Sequence, residues 1–342
     1  MDQTRAEARK VLEQGDNFLV ASHYNPDGDA LGSLAAMGFV LDALGKNYRL
    51  YNISGVPEPF DWLELPATVV SSLAALDGFR PDWYITLDCG DTARLGAELM
   101  ENLSGQVLNL DHHLGNPMFG TVNWVDPSMT SVGEMVAHLA NDMGIPLTGP
   151  LGEAIYLAII TDTGNFRYGN TTPETLELAA TIMRQGLNPA EFNSKFMKQW
   201  SLERLFLWSE VMGQAKVCLG GRVGVLHITA ETLKKTGTSI HDCDGLVNYA
   251  RYIRGVRIGM ILREDAPGLV KFSLRSEGDD NVQAVAKSLG GGGHKNASAG
   301  SIRGSMHQAE NLVLGALANH FGLDKKDQTC RRAIGARLNN DD

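Results

Sequence analysis

Near the start of the chain, the apolar run Phe18-Leu19-Val20-Ala21 ends in His23-Tyr24-Asn25-Pro26-Asp27-Gly28-Asp29, and a helix-like stretch from Ala30 to Leu44 follows at once. A buried strand, a short loop and a helix in that order form one half of a parallel β/α unit. Ligands of open α/β sheets sit beyond the carboxyl ends of the strands, where a histidine and two carboxylates here leave the strand together. The pattern then repeats. Trp83-Tyr84-Ile85-Thr86-Leu87 ends in Asp88, Val107-Leu108-Asn109-Leu110 ends in Asp111-His112-His113, and Ala158-Ile159-Ile160-Thr161 ends in Asp162. The last run reads equally as a strand end or as turns of a buried helix. Parallel strands bring such ends to one edge of a sheet, so four distant segments are expected to converge.

Convergence has an electrostatic consequence. At least four carboxylates packed together repel one another and shift their pKa values unless cations hold them apart, and the economical reading is two divalent metals. A mixed carboxylate and imidazole donor set favours manganese, with zinc, iron and cobalt behind it, over magnesium or calcium. Cysteine spacing offers no structural zinc motif: Cys89, Cys218, Cys243 and Cys330 are scattered with no Cys-x-x-Cys pair, and are expected to be unpaired thiols of a reducing compartment.

His-x-Asn-Pro-Asp-Gly-Asp-Ala-Leu-Gly-Ser at 23–33, Leu-Asp-Cys-Gly-Asp at 87–91, Asp-His-His at 111–113 and Thr-Asp-Thr-Gly at 161–164 together resemble the four motifs of the DHH phosphoesterase superfamily. A fifth element, Gly290-Gly291-Gly292-Gly293-His294 with Ser298-Ala299-Gly300 behind it, resembles the signature of its C-terminal DHH-associated domain. The resemblance spans residues 15 to 320. It implies one metal on His23, Asp27 and a bridging Asp88, and a second on Asp29, Asp88, His112 and Asp162. His113 would face the substrate phosphate as a catalytic group beside Asp88, and Asp111 would orient an imidazole from behind the ligands. Two cations sharing a carboxylate activate water and polarise phosphoryl oxygens, so no protein nucleophile is required. None is visible, since the chain has neither a Gly-x-Ser-x-Gly elbow nor a Lys-Ser or Lys-Thr after the glycine run.

The glycine run lies between the helix-like Val282 to Leu289 and the small-residue segment from Ala297 to Ile302. Successive backbone N–H groups can cradle an anion, so Gly292, Gly293 and His294, with Lys295 adjoining, are candidate phosphate-binding residues. Arg275 and Ser276, ending the strand-like Val270 to Leu274, form the partner clamp, since arginine grips phosphate bidentately. Arg263 and Arg167 are weaker candidates. Asp91 and Arg94 read either as substrate-facing groups or as a helix start.

The fold expected is α/β: an N-terminal, mostly parallel sheet flanked by helices over 1–190, a helical connector over 191–216, a smaller α/β domain over 217–322 and a polar tail over 323–342. The chain's 342 residues, 43% of them hydrophobic, suffice for two cores. No run has the ~18 uninterrupted apolar residues of a membrane span, and the N-terminus lacks a secretory core, so a cytoplasmic protein is expected.

Forty acidic against thirty basic residues give a net charge of −10, with no basic stripe. Long nucleic acids are held by many phosphate contacts, so a long duplex is excluded as partner and a substrate with few phosphates is favoured. In the superfamily, substrate lies between the two domains, and dimers are common. The absence of extra nucleic-acid-binding domains, of membrane and sensory segments and of the pyrophosphatase-type C-terminal domain points to its stand-alone oligoribonucleases. Those enzymes degrade oligoribonucleotides of a few residues, linear dinucleotides such as pApA and pGpG among them, and many remove the 3′-phosphate of adenosine 3′,5′-bisphosphate. A cyclic-di-AMP phosphodiesterase, an inorganic pyrophosphatase and a non-catalytic nucleotide-binding regulator are the competing readings.

Overall fold

The computed structural model describes residues 3–103, 105–197, 200–323 and 330–332, with the side chains of His294, Arg331 and Arg332 outside the description. The chain divides into two compact units, residues 1–199 and 200–342. Most of the polar tail expected from 323 onward falls outside the described residues.

In the first unit, six described strands form one sheet: β1 (Phe18–Ser22), β2 (Tyr48–Tyr51), β3 (Val69–Val70), β4 (Trp83–Leu87), β5 (Gln106–Asp111) and β6 (Val122–Val125). Their order is β3-β2-β1-β4-β5-β6, and every pair is parallel. All five residues of β1 are buried, as expected of a parallel strand covered on both faces. Chain direction across the sheet reverses between β1 and β4, which is the switch point where such sheets open a crevice beyond their carboxyl ends. The helices are α1 (Gln3–Gln14), α2 (Gly28–Ala43), α3 (Ala97–Asn102), α4 (Val132–Asp142), α5 (Gly149–Asp162), α6 (Pro173–Arg184) and α7 (Pro189–Met197).

Helix α2 is apolar on nearly every side, because it lies against the sheet, α4 and α5. Its crossing with α5 is close enough to require glycine: a Cβ on Gly32 would stand 2.5 Å from the Ala154 carbonyl oxygen. That tight packing fixes Asp29, in the first turn of α2, relative to Asp162, the last residue of α5. Asp162 therefore ends a helix, and the strand reading of Ala158–Thr161 is corrected. A 14-residue run starting at Gly149 and buried along most of its length is long for a strand, and its register is set by helix packing.

The second unit contains α8 (Leu202–Gly213), β7 (Lys216–Cys218), β8 (Val223–Ile228), α9 (Ala230–Thr236), α10 (Leu246–Arg251), β9 (Ile258–Ala266), β10 (Leu269–Arg275), α11 (Val282–Ser288), β11 (Gly292–His294), β12 (Ala297–Arg303), α12 (Met306–Phe321) and β13 (Arg331–Arg332). Its described strands pair in the order β11-β12-β10-β9-β8-β7-β13, antiparallel except for β8 with β9. Alternate residues face two cores. Val223, Val225, Met260 and Phe272 pack under α11 and α12, whereas Leu226, Ile228 and Ile261 pack against α8 and α10.

Cysteine usage differs from expectation: Cys218 and Cys330 form a disulfide across 112 residues, leaving Cys89 and Cys243 as buried free thiols. Spacing rules read only local pairs, and this one is made by sheet topology. Among the described residues, no helix is long and apolar enough to cross a membrane.

Candidate metal centre

Asp27 caps α2, its Oδ1 accepting from the Asp29 and Ala30 backbone N–H groups at 3.1 Å each. Asp29, two residues on, turns inward instead and is fully buried. There its two oxygens accept from the first amides of α4, Val132 N to Oδ2 at 2.8 Å and Gly133 N to Oδ1 at 3.0 Å. A helix N-terminus is a natural partner for a carboxylate. Glu134 anchors that terminus by accepting from Thr130 N at 2.9 Å and from the Thr130 hydroxyl. The end of β1 is held by buried Asn52, whose Nδ2 donates to Ser22 Oγ at 3.0 Å and to the His23 carbonyl at 2.9 Å.

Asp88, directly after β4, adopts a left-handed backbone with φ +55°, uncommon outside glycine and recurrent at functional sites. Its amide donates to the Leu110 carbonyl at 3.1 Å, tying the turn to β5. The carboxylate is shared. Oδ2 lies 3.4 Å from His23 Nε2, while Oδ1 lies 3.5 Å from His112 Nε2 and 3.4 Å from His113 Nδ1. Around it, the structure brings together His23 with Asp27 and Asp88, Asp29 with His112 and Asp162, and Asp88 with His112 and His113, each group with donor atoms within 4.8 Å of one another. His112 Nε2 is also 3.2 Å from Asp162 and 3.7 Å from Asp29. All six residues expected to bind metal therefore meet in one place.

The second ring nitrogens set the imidazole orientations. His23 Nδ1 lies 2.8 Å from the Tyr24 carbonyl and His112 Nδ1 3.2 Å from that of Met129. A carbonyl only accepts, so Nδ1 carries a proton and Nε2 is the nitrogen turned toward the carboxylates, which is the orientation of a metal-ligating histidine. Asp111 is fully buried, with Oδ1 2.8 Å from His113 Nδ1 and Oδ2 accepting from Asn116 Nδ2 at 2.6 Å. That places Asp111 behind His113 as an orienting carboxylate.

Electrostatics show the strain of the bare cluster. Burial, reinforced by Asp88 and Asp162, pushes the Asp29 carboxyl well above the ordinary range. Asp162 is pushed up to about 7 by burial, with His112 opposing and Asp88 adding to the rise. For Asp88, burial acts upward but the His112 and His23 imidazoles outweigh it and hold the carboxyl well below normal. Burial would lower His112, yet Asp88, Asp29 and Asp162 lift it to about 10. Asp88 Oδ1 is buried and makes no hydrogen bond. A buried carboxylate oxygen without a hydrogen bond, set among imidazoles and further carboxylates, belongs to a donor set that divalent cations satisfy, and the residues present fit them.

In the second unit, Arg275 ends β10 and pairs in register with Ala297 of β12, which pairs on its other side with His294 of β11. Arg275 and His294 therefore stand level on strands flanking β12. The glycine run forms the edge strand β11, and a Cβ on Gly293 would sit 2.5 Å from the Ala297 carbonyl oxygen, so close approach to β12 accounts for the missing side chain. Gly292 pairs with Ala299. Ser276 is buried; its hydroxyl donates to the Asp280 carbonyl and receives Asn296 Nδ2 at 2.9 Å, so it braces the loop. Lys295 pairs with Asp279, Arg263 with Asp265, and Arg167 Nε donates to the Gly164 carbonyl. Asp91 caps the short helix over Thr92–Leu95 through Ala93 N, which supports the helix-start reading. Sequence reasoning missed Lys271, although the β10 alternation carries it: Lys271, Ser273 and Arg275 share one face and, with Arg263, line a cavity of about 90 Å³. It also missed Asn116 and the α4 amides; Ser131-x-x-Glu134 before an apolar run was the available signal for the latter.

Comparison with known proteins agrees with this geometry. A model of the DHH family N-terminal domain matches residues 17–159, and one of the DHHA1 domain matches residues 222–319. The chain is 33% identical over 313 residues to the bifunctional oligoribonuclease and PAP phosphatase NrnA of Thermus thermophilus, covering 91% of this chain and 92% of that one. Identity to the Bacillus subtilis protein of the same name is 27%, over 87% of this chain and 93% of that one. Among solved structures, an exopolyphosphatase-related protein from Bacteroides fragilis superposes with a TM-score of 0.87 at 27% identity, over 93% of this chain and 96% of the other. With the two domain models together matching well over half of its length, the chain belongs to the DHH family.

Proposed function

We propose that this protein is a phosphoesterase dependent on two divalent cations, manganese foremost, that hydrolyses very short oligoribonucleotides, pApA and pGpG included, to mononucleotides and removes the 3′-phosphate of adenosine 3′,5′-bisphosphate. The observation that carries this reading is Asp88, whose two oxygens turn toward separate histidine and aspartate groups. The relatives named for oligoribonuclease and PAP phosphatase activity, matched over nearly their whole length, support the substrate class.

His23, Asp27 and Asp88 would hold one cation, and Asp29, Asp88, His112 and Asp162 the other. When bound, the pair supplies Lewis acidity to polarise a phosphoryl oxygen and to make water nucleophilic at neutral pH. The chain's own residues do the rest. The α4 amides and Asn52 fix Asp29 and the β1 end against the repulsion of the neighbouring carboxylates. His113 keeps its proton on Nδ1 toward Asp111, which leaves Nε2 as the nitrogen to meet the substrate phosphate. Residues 217–322 would act as the substrate-binding domain, 191–216 connecting it to the catalytic domain over 1–190. In the former, Arg275, with Lys271 and Arg263 on the same cavity, supplies cations for a terminal phosphate, and Gly292, Gly293 and His294 line the edge beside it.

Purified protein loaded with Mn²⁺ should be offered pApA, a labelled ladder of longer oligoribonucleotides, adenosine 3′,5′-bisphosphate, cyclic di-AMP and inorganic pyrophosphate in parallel. The reading predicts turnover of pApA and the bisphosphate, rates that fall with oligonucleotide length, and loss of activity on chelation. Turnover of pyrophosphate alone, or of cyclic di-AMP in preference to pApA, would contradict it.

A further inference from the structure

Beneath α12, the second sheet carries a group of metal-capable side chains unconnected with phosphate chemistry. Strand alternation and the pairing of Lys216 with Val225 and Cys218 with Val223 put Lys216, Cys218 and His227 on one face of the sheet, the face that α12 covers. From α12, Glu310 turns toward that face and is only 6% exposed. Its carboxylate lies 3.3 Å from His227 Nε2, 3.4 Å from Lys216 Nζ and 3.9 Å from Cys330 Sγ. The Cys218 and Cys330 sulfurs and a Glu310 oxygen all lie within 4.8 Å of one another. Despite its position, His227 Nε2 is a buried atom without a hydrogen bond.

Two sulfurs and a carboxylate oxygen gather at one point from β7, α12 and Cys330, and the His227 imidazole of β8 stands 3.3 Å from that carboxylate as the fourth donor. Softness and number match tetrahedral zinc, and four protein ligands make a closed, structural site. Charge also balances. Two thiolates and one carboxylate around a dication, with neutral imidazole, carry one negative charge, which the Lys216 ammonium offsets. The disulfide does not use the imidazole or the carboxylate, whereas a metal would satisfy both.

We propose that Cys218, His227, Glu310 and Cys330 form a zinc site when the Cys218–Cys330 bridge is reduced, the metal replacing the disulfide as the clasp between β7 and the segment leading into β13. Reduction by a water-soluble phosphine balances as follows: the S–S bond breaks, phosphorus takes oxygen from water to become phosphine oxide, and the two hydrogens of that water complete two thiols. Metal binding then releases both thiol protons.

Cobalt(II) tests the site independently of hydrolysis, because thiolate-to-cobalt charge transfer in the near ultraviolet reports sulfur ligands, and the catalytic cluster supplies oxygen and nitrogen. The full-length protein is reduced with phosphine, desalted anaerobically and titrated with Co²⁺, then with Zn²⁺. Expected is a charge-transfer band in reduced protein and in reduced Cys89→Ser, absent from oxidised protein and from reduced Cys218→Ser, bleached by Zn²⁺. Reduced Cys218→Ser should also bind one fewer zinc per chain. His227→Ala, which keeps both thiols, should weaken cobalt binding at this site by about tenfold or more. No band in the reduced protein, a band that survives Cys218→Ser or vanishes in Cys89→Ser, or unchanged affinity in His227→Ala, would each overturn the assignment.

Discussion

Replacing Gly133 by alanine should disable the metal centre through packing alone. An added Cβ would lie 2.2 Å from the Ala158 Cβ of α5 and 3.6 Å from Asp29 Oδ1. Carbon atoms pack at about 3.5–4.0 Å, so α4 and α5 must separate by roughly 1.3–1.8 Å. Overpacking of this kind costs about 1–3 kcal/mol. The same movement lengthens the Gly133 N–H bond to Asp29, now 3.0 Å, beyond hydrogen-bond range. A bond to a charged group contributes about 1.5–3 kcal/mol, and a displacement near 1 Å costs about 100-fold in rate. Hydrolysis of pApA by the Mn²⁺-loaded variant should therefore fall about 100-fold in kcat/KM, with Tm lowered by roughly 3–10 °C. Gly169→Ala, whose Cβ meets nothing within 4 Å, serves as control and should change neither. Wild-type rate and Tm in Gly133→Ala would refute the idea that the α4 amides position Asp29.

Other expectations follow from single residues. Arg275→Ala should raise KM for pApA by about 10–100-fold with kcat and bound metal unchanged, as loss of a charged phosphate contact predicts; loss of metal on elemental analysis would show that the division of labour is wrong. Burial pushes the Cys243 thiol up to about 11 although Arg263 acts downward. A raised thiol pKa favours the protonated form in the folded state, so at pH 8 the folded protein should alkylate with iodoacetamide at Cys243 roughly 200-fold more slowly than the urea-unfolded chain, and about tenfold faster per pH unit toward 11; equal rates at pH 8 would contradict this. Gly315→Ala, in the interior of α12 with nothing within 4 Å of the new methyl, should stabilise the protein by about 0.5–1 kcal/mol in urea unfolding, and destabilisation would contradict the helix-propensity argument.

The candidate metal ligands were legible because each carries its own signal: an apolar run, then a carboxylate or imidazole at its end. Parallel topology did the gathering, so His23, Asp88 and His112 could be placed together without coordinates. Asp162 was legible as a residue but its element was not, since a buried strand and a buried helix share an apolar composition. Interactions made by backbone groups left little trace. Ser131-x-x-Glu134 marks the start of α4, but nothing at Val132 or Gly133 says that their amides meet Asp29, and Asn116 is an ordinary polar residue until Asp111 stands 2.6 Å away. The Cys218–Cys330 pair and the Lys216, His227, Glu310 group depend on strand register and on the placement of α12, which local spacing does not encode. Glycines at 292 and 293 suggested an anion cradle, and the structure uses Gly293 for close strand approach.

Anomalous diffraction from Mn²⁺-loaded crystals examines the bridging role proposed for Asp88 most directly. Two manganese peaks per chain are predicted on opposite sides of the Asp88 carboxylate, one against His23 and Asp27, the other against Asp29, His112 and Asp162. A single peak, or peaks that leave Asp88 uncoordinated in catalytically active protein, would contradict it.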